Sequence, residues 1–483
     1  MAALLAIILC AGTGWCVARL GLGSGKTNNS ILEVSLAGPF GLGVFSLTYF
    51  AWRLFSTSRA SLIGIDVAVL VVLTGFVARI HKKRSLPSPD TAIPTPKLPF
   101  GSTLWAMFAA ALAVAAYCSI GFVKADPQGG GWDAIAIWNL HARFLFLGGE
   151  QWRAGFSQLI PWSHPDYPLL VPATIAHFWT YLGTDTELVP AAIGLAFMFS
   201  TVGVLYASVR TLRSASQALL SGILLASTPF FLRQGASQYA DVPLCFFILA
   251  TIALSMLYSA KKTAGLLALS GAAAAFAAWT KNEGLLFFCA FLVVRVFQLV
   301  IRKDWRTLAA QVSTFLLGAA PVLLVLAYFK LAIAPPGDLL ASGSSMLSKI
   351  ADLSRYWLIV RWFGKELFLF TGLPVLTIIV VIYGKLLGSG LPRKLHDSVW
   401  TSAAALALTL AGYFAVYVIT PYDLRWHLRF SLNRLMLQLW PSALFLFFVA
   451  VRTPEEWLAE KSGEVSPESD PASIGASAID KAA

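Results

Sequence analysis

The stretch that decides the fold runs from Lys124 to Pro172 and reads KADPQGGGWDAIAIWNLHARFLFLGGEQWRAGFSQLIPWSHPDYPLLVP. It follows one apolar segment and precedes another, and it is much longer than most other connections in the chain. It is also rich in Trp, His, Asp and Arg. Where apolar segments alternate with short loops, one long polar and aromatic loop is the expected place for chemistry. We therefore expect Asp133 to be a catalytic carboxylate held at the membrane surface.

The composition is that of a membrane protein. Of 483 residues, 57% are hydrophobic and only 12% are charged, whereas soluble domains have about 25% charged residues. Apolar runs long enough to cross roughly 30 Å of hydrocarbon recur along the chain. Only helices or closed barrels satisfy their backbone groups in lipid, and these runs are too long and too uniformly apolar for barrel strands. The predicted fold is an all-α polytopic transmembrane helix bundle.

We predict about thirteen spanning helices and derive their orientation from lysine and arginine, which concentrate in cytoplasmic loops. The predicted spans are 2–22, 34–54, 60–80, 100–123, 187–209, 216–232, 242–258, 264–280, 284–301, 308–330, 367–387, 399–419 and 435–451. The basic connections then alternate regularly only if residues 165–183 do not cross the membrane. We expect that segment to lie in the outer interface or dip into it. The first two helices fit less well, because Arg53 and Arg59 fall outside.

The chain divides into four parts by composition. Residues 85–99 are Pro-rich and resemble a linker, and the chain beyond Thr453 is acidic, Ser/Pro/Ala-rich and without apolar periodicity. The expected parts are 1–99, with three N-terminal helices and the cytoplasmic linker; 100–330, a catalytic module with the outer loop 124–186 and its juxtamembrane helices; 331–452, with a second outer loop at 334–366; and 453–483, a disordered cytoplasmic tail.

Charge and cysteine content exclude two other classes. The net charge of +12 fits cationic loops that set topology and meet anionic lipid, so we expect no nucleic-acid partner. The five cysteines lie in apolar segments without metal-ligand or CxxC spacing, which indicates packing residues and no disulfide framework; they are Cys10, Cys16, Cys118, Cys245 and Cys289.

Under this topology the polar clusters fall on one side of the membrane. They are Asp133, the segments 162–168 (WSHPDYP) and 233–241 (RQGASQYAD), the turn 281–283 (KNE), and the segment 420–434 (TPYDLRWHLRFSLNR). Charges are scarce in the middle of the helices, which argues against an ion-coupled transporter with a midplane site.

Asp133 and Asp241 each precede a helical run, so their ordinary role is N-capping, in which a short carboxylate accepts backbone N–H groups. Asp133 also follows a glycine run. A carboxylate at that place can take a proton from an attacking hydroxyl or amine. The two roles are compatible for Asp133, and for Asp241 the cap remains the default.

The segment 420–434 predicts a functional helix face. If the chain is helical after Pro421, Asp423, His427 and Arg434 lie at i, i+4 and i+11 and share one face. Arginine suits bidentate phosphate contact, although a basic stripe at a membrane surface more often binds lipid headgroups. A divalent metal at Asp423 and His427 is an open alternative, but no full ligand set is visible.

Several of these motifs occur in a known order. Asp133 opens the first long loop, and DYPLL, ADVPLCFF and AWTKNEG follow within about residues 100–330, with a looser His/Arg segment at 420–434. This pattern resembles the membrane glycosyltransferases of the GT-C fold that use a polyprenyl-phosphate sugar. It is similar to bacterial lipid A aminoarabinose transferases and protein O-mannosyltransferases. One departure is Asp166, where the aminoarabinose transferases have a lysine before the Pro-Leu pair.

The resemblance implies a glycosyl transfer at the outer face of the bacterial inner membrane, with Asp133 as general base. It implies a polyprenyl-phosphate-linked sugar donor, a lipid, glycan or protein acceptor, contact with membrane lipids, and no certain cofactor. The implied donor-phosphate ligands are Arg233, Lys281, His427 and Arg434, and the implied substrate-lining residues are His164, Asp166, Tyr167, Asp241, Glu283, Tyr422 and Asp423. The alternatives are a transporter or lipid flippase, an O-antigen ligase or polymerase-like enzyme, and a non-catalytic membrane partner.

Overall fold

The computed structural model describes residues 1–23, 29–83, 101–125, 130–337 and 346–462, with only the backbone at 81–83. Across these ranges the protein is built from helices, and the sole β-type pairing is an isolated bridge between Ser389 and Val451. The predicted linker at 85–99, most of the Gly/Ser run after Pro336, and the chain from 463 lie outside the described residues.

The first half of the bundle extends to a long central helix. Its helices are α1 (Ala2–Leu22), α2 (Ser30–Arg53), α3 (Arg59–Lys83), α4 (Gly101–Ala125), α5 (Asn139–Leu147), α6 (Leu170–Leu182), α7 (Leu188–Leu212), α8 (Ala215–Ala226), α9 (Pro229–Ala236) and α10 (Asp241–Lys261). A π-helical turn, Ala134–Trp138, leads into α5, and two short 3₁₀ helices, Gly149–Phe156 and Pro161–Ser163, separate α5 from α6.

The second half continues the same up-and-down course. Its helices are α11 (Ala264–Thr280), α12 (Asn282–Ile301), α13 (Trp305–Ala332), α14 (Met346–Ala351), α15 (Leu353–Leu369), α16 (Pro374–Leu387), α17 (His396–Ile419), α18 (Leu424–Ala450) and α19 (Pro454–Lys461). A 3₁₀ turn, Arg393–Leu395, leads into α17.

The all-α polytopic prediction is confirmed. In the part of the chain that the structure describes, ten helices are long and apolar enough to cross a membrane, and two bent helix pairs raise the number to twelve. The predicted span at 264–280 corresponds to α11, which has 17 residues and falls just short of that length. The count of thirteen therefore stays a prediction.

Two predicted spans are broken by proline. The segment 216–232 is not one helix, because α8 ends before Pro229 and α9 departs at 64°. The segment 367–387 is likewise divided before Pro374, and α15 and α16 meet at 80°. Proline lacks the N–H that would continue the helix and restricts the residue before it, so the chain bends at both places.

Three further boundaries differ from the sequence expectations. Within the 165–183 segment the helix α6 spans only Leu170–Leu182; its 13 residues reach about 20 Å, and it packs against α2. The predicted outer segment from Arg355 to Lys365 is part of α15, and the predicted span at 435 begins already at Leu424.

The beginning of the acidic tail is ordered. Residues expected to be disordered form α19, which starts with a capping box between Thr453 and Glu456. Glu456 also pairs with Arg213, with Arg213 Nη2 2.7 Å from Glu456 Oε2. The local capping signal and this distant arginine together outweigh the polar composition of the segment.

Helix α10 is the centre of the bundle. It packs against α7, α11 and α18, and nearly all its residues are buried. Its N-terminus lies with the C-terminus of α11 and the N-terminus of α18 at one end of the bundle, hereafter the site end. The turns at 212–214, 261–264, 301–305 and 387–396 lie at the opposite end. Burial of α10 on all sides forces its first residue, Asp241, to find charged partners within the protein.

Candidate functional site

Charged side chains from four distant segments meet at the site end. We call Asp133, Asp241, Lys281, Glu283 and Arg434 the site cluster. Asp133 comes from the start of the long loop, Asp241 from α10, and Arg434 from α18. Lys281 and Glu283 both come from the α11–α12 turn. The predicted convergence of these segments is therefore observed, with the pairing between their charges decided by the tertiary structure.

Asp241 is the fixed centre of the cluster. Its carboxylate has no exposed surface. Lys281 Nζ lies 3.0 Å from Oδ1, Gln438 Nε2 donates to Oδ1 at 2.6 Å, and Arg434 Nε donates to Oδ2 at 2.8 Å. The expected N-cap is wrong for this side chain: it caps no backbone amide, because buried cations take both of its oxygens.

Arg434 joins the two carboxylates. Its Nη1 lies 2.7 Å from Asp133 Oδ2, and its Nη2 lies 2.8 Å from Asp241 Oδ2. The guanidinium also stacks over the Tyr239 ring at 4.6 Å. Two charge-assisted contacts and an aromatic face hold a planar fork in one orientation. Asp133 makes no side-chain cap hydrogen bond, so its expected capping role is also wrong.

Glycine brings the Asp133 segment close to the α9–α10 connection. Gly130 has φ +106°, and a Cβ at Gly131 would lie 2.5 Å from Tyr239 Oη. The Gly131 amide donates to the Ser237 carbonyl at 3.3 Å, and the Asp133 amide donates to Tyr239 Oη at 3.3 Å. The segment then enters the π-helical turn, a feature often found at functional sites. Asp133 thereby keeps one-fifth of its side chain exposed.

Lys281 is shared between two carboxylates. It contacts Asp241 and lies 3.2 Å from Glu283 Oε1. Burial acts to lower the pKa of Lys281, but the two carboxylates outweigh it and the pKa is raised, so the lysine stays charged. Glu283 Oε2 is buried and makes no hydrogen bond to any residue that the structure describes. Within the site cluster, that oxygen can therefore accept a hydrogen bond from a ligand.

A second group of polar side chains lies beside the cluster. Asn282 Nδ2 donates to Asp166 Oδ2 at 2.7 Å, Lys330 Nζ donates to Asn282 Oδ1 at 2.7 Å, and Lys330 also bonds the Asp166 carbonyl. Lys330 Nζ is 3.7 Å from Asp166 Oδ2. The aspartate that departs from the aminoarabinose-transferase pattern is thus accompanied by a lysine from α13.

An aromatic stack borders both groups. The Tyr167 ring lies between Trp138 and His164, with ring centroids 5.6 Å and 4.8 Å apart, and Lys281 Nζ is 5.9 Å from the Tyr167 ring centre. Burial, with Glu283, Asp166 and Asp133 adding to it, raises the pKa of Tyr167 well above its ordinary value. The hydroxyl therefore stays protonated and can donate a hydrogen bond.

Other predicted site residues take different places. Asp423 caps α18 by accepting from the Trp426 amide at 2.8 Å, and His427 Nδ1 is 2.9 Å from Thr420 Oγ1. Tyr422 packs edge-on against His427. Arg233 is exposed on α9 and forms no ion pair with the cluster among the described residues. The shared face of Asp423, His427 and Arg434 exists, but only Arg434 reaches the other charges.

Two of the expected donor-phosphate cations are therefore already paired. Arg434 and Lys281 are both neutralised by the three carboxylates of the cluster. A phosphate that used either cation would have to compete with these carboxylates. No group of three or more His, Cys, Asp or Glu residues in the described ranges is arranged to hold a metal ion.

Sequence reasoning missed Gln438, Lys330 and Tyr239 as members of the site. Lys330 lies in the last turn of α13, Tyr239 in the α9–α10 connection and Gln438 in the middle of α18. Polar residues in such an apolar context are functional candidates within a membrane. It also missed a separate buried group in which Asp66 Oδ2 lies 2.8 Å from His177 Nε2 and accepts from Tyr181 Oη at 2.6 Å. Mid-helix charges are thus scarce, as expected, but Asp66 is one of them.

A known protein family matches the part of the chain that contains several of these site residues. Residues 163–329 match the family model of dolichyl-phosphate-mannose-protein mannosyltransferases. This range, less than half of the chain, contains Asp166, Asp241 and Lys281, whereas Asp133 and Arg434 lie outside it. No curated protein and no solved structure gave a significant match. The family match confirms the resemblance to enzymes of the GT-C fold.

Proposed function

We propose that this protein, a membrane glycosyltransferase of the GT-C type, moves a sugar from a polyprenyl-phosphate donor to a hydroxyl or amine of a lipid, glycan or protein acceptor. Asp133 acts as the general base, and the reaction takes place at the outer face of a bacterial inner membrane. The observation that carries the proposal is the shared arginine: Arg434 links an accessible carboxylate, Asp133, to a buried one, Asp241.

The two carboxylates are suited to different tasks. Asp241 is enclosed and accepts from Lys281, Arg434 and Gln438, so it has no room for a substrate. Its task is to hold both cations in place. Asp133 has one arginine contact and an exposed edge. A general base must reach the proton it removes, and of these two carboxylates only Asp133 meets that geometric condition.

The same geometry suggests an ordered reaction. While Arg434 contacts Asp133, its guanidinium occupies Asp133 Oδ2, an oxygen that could take the acceptor's proton. When the donor phosphate binds Arg434 in place of Asp133, that carboxylate oxygen becomes available to the acceptor. Arg434 can then stabilise the charge that develops on the departing phosphate. The donor thus prepares the base before the acceptor attacks.

Two neighbouring polar groups support a place for the acceptor beside Asp133. Glu283 Oε2 is an unused acceptor and Tyr167 Oη a protonated hydroxyl, both close to Lys281. Asp133 takes the acceptor proton as the oxygen or nitrogen attacks the anomeric carbon. The bond from that carbon to the phosphate oxygen breaks, and the polyprenyl phosphate leaves with the electron pair. No covalent enzyme intermediate is needed.

The decisive experiment compares Asp133→Asn with a matched change in the same segment. Asp185 is a carboxylate paired with Arg143, and its side chain is 39% exposed, so Asp185→Asn removes a similar charge away from the site. Mass spectrometry of envelope lipids and glycans from cells lacking the protein identifies the product that depends on it. We expect Asp185→Asn to restore that product and Asp133→Asn to reduce its rate of formation at least about a hundredfold.

Both variants should accumulate in the membrane, because Asn fills the same volume and Arg434 keeps Asp241. Wild-type product levels from the Asp133→Asn protein would refute its role as base. Absence of any change in envelope lipids, glycans and glycoproteins that depends on the protein would refute the glycosyl-transfer proposal as a whole.

A further inference from the structure

Helix α15 presents a basic surface that the proposed reaction does not use. Its apolar side is fixed to the bundle by Phe363, whose ring lies 5.6 Å from Phe414 and 6.0 Å from Tyr417. Arg355 adds a second attachment, donating from Nε to the Val418 carbonyl at 3.0 Å and from Nη2 to the Tyr417 carbonyl at 3.1 Å. Because these carbonyls end α17, α15 lies at the site end in a defined orientation.

A cavity of about 520 Å³ lies between α15 and the first turn of α18. Its lining residues are Leu358, Arg361, Trp362, Lys365 and Arg425. The four from α15 are spaced i, i+3, i+4 and i+7, so they form one face of the helix. Lys365 Nζ stands 4.9 Å over the Trp362 ring, an arrangement that holds the ammonium toward the cavity.

The cavity is lined by three cations and by no carboxylate. Arg361, Lys365 and Arg425 form no ion pair with any carboxylate in the described ranges, and no acidic residue lines the cavity. Glu366 is adjacent in sequence to Lys365 but lies outside the lining. The contrast with the site cluster is direct, because Arg434 and Lys281 there are neutralised by carboxylates. Three like charges around one space are stabilised by an anion.

This cavity is separate from the site cluster. Arg425 and Arg434 are both on α18, but nine residues make about two and a half turns, which places them on opposite faces. The neighbouring surface is aromatic and exposed at Trp357, Trp426 and Phe430. Exposed aromatic residues at a helix end are typical of the boundary between lipid and water. The ligand is therefore expected to be anchored in the membrane.

We infer that this cavity is a second phosphate site, which binds the anionic headgroup of a membrane lipid through Arg361, Lys365 and Arg425. Two arginines offer planar N–H forks to phosphate oxygens, and the lysine adds a mobile point charge. The aromatic neighbours accommodate the beginning of the hydrocarbon chain. This site is independent of the role proposed for Asp133.

The test counts bound lipids on the purified full-length protein in a neutral detergent by native mass spectrometry. The probes are farnesyl phosphate and short-chain phosphatidylglycerol, with farnesol and short-chain phosphatidylcholine as uncharged and zwitterionic controls. The variant carries Arg361→Gln, Lys365→Gln and Arg425→Gln. Its matched control carries Lys385→Gln, Arg393→Gln and Lys394→Gln, which remove the same charge at the opposite end of the bundle.

We expect wild type and control to bind one more anionic lipid than the triple variant. The affinity of that lipid should fall by about fivefold per lost cation, or roughly a hundredfold in all. Asp133→Asn should leave it unchanged, which separates this site from the first. Binding of farnesyl phosphate alone assigns the site to polyprenyl phosphates, and binding of both anions assigns it to acidic lipids generally.

Equal affinity of wild type and triple variant for both anions would overturn the inference, as would equal binding of charged and control probes. The single variant Lys365→Gln changes one exposed side chain and provides the same comparison should the triple variant not be monodisperse. For it we expect about a fivefold loss.

Discussion

The strongest test of the architecture of the site is to neutralise its two aspartates separately. Asp241→Asn keeps the volume of the side chain but removes the charge that Lys281 and Arg434 share. The replaced oxygen becomes an NH₂ group that faces a cation. Asp133→Asn makes the same chemical change on the other side of the Arg434 guanidinium, and in that variant Arg434 keeps Asp241 as a partner.

The burial of each group determines the expected magnitude. Removing one partner of a fully buried ion pair costs about 3–5 kcal/mol, because the remaining charge is desolvated without compensation. Asp241 has two such partners and no exposed surface. Asp133 is partly exposed and its arginine keeps a second carboxylate, so its loss costs about 1 kcal/mol. The two variants should differ by roughly 2–4 kcal/mol.

Thermal stability of the purified full-length protein in mild detergent measures this difference. The remaining monodisperse fraction is followed by size-exclusion chromatography after heating. We expect the Asp241→Asn midpoint to fall well below that of Asp133→Asn. Adding Lys281→Met to Asp241→Asn should recover part of the loss, since it removes the stranded ammonium. Equal midpoints for the two single variants would refute the assignment of Asp241 as the buried anchor.

Two further predictions concern the regions around the site. Asp66→Asn should lower stability by about 3 kcal/mol, because His177 and Tyr181 lose a buried partner, whereas the exposed Asp397→Asn should cost less than about 1 kcal/mol; thermal midpoints that fall equally would contradict this. Burial, with His164, lowers the pKa of His141 from 6.5 to about 3. Between these values the unfolded chain binds the extra proton, so stability should fall by up to about 1.4 kcal/mol per unit as the pH decreases below 6.5. His141→Gln should remove that part of the slope, and an unchanged pH dependence from pH 7 to 5 would count against it.

The charges of the site cluster are shared between partners, so a small number of side chains forms a connected network. Arg434 and Lys281 each contact two carboxylates, and Asp241 is common to both cations. Substitution at any member leaves the others with altered partners, so effects on stability and on activity should be separable only at Asp133. Its partial exposure is what makes Asp133→Asn an informative activity test.

Local patterns were sufficient for the helical class and for most helix positions. Apolar runs of about 20 residues must be helical in lipid, since their backbone groups have no other partners. The motif order also indicated which segments converge, because Asp133, Asp241 and Lys281 all belong to the observed cluster. Breaks before Pro229 and Pro374 were readable from the same local rules, although the spans were predicted as continuous.

Only the tertiary structure decided which charge meets which. Arg434 and Asp241 are 193 residues apart, and no periodicity relates one to the other. From the sequence, Arg434 and Lys281 were predicted to bind a phosphate, Asp133 to act as a base and Asp241 to line the substrate site or cap a helix; the fold pairs these charges with each other. For the same reason, the sequence did not predict that Lys330 lies beside Asp166 or that α6 packs against α2. Helix formation depends on near neighbours, but the partner of a buried charge depends on which helices pack together.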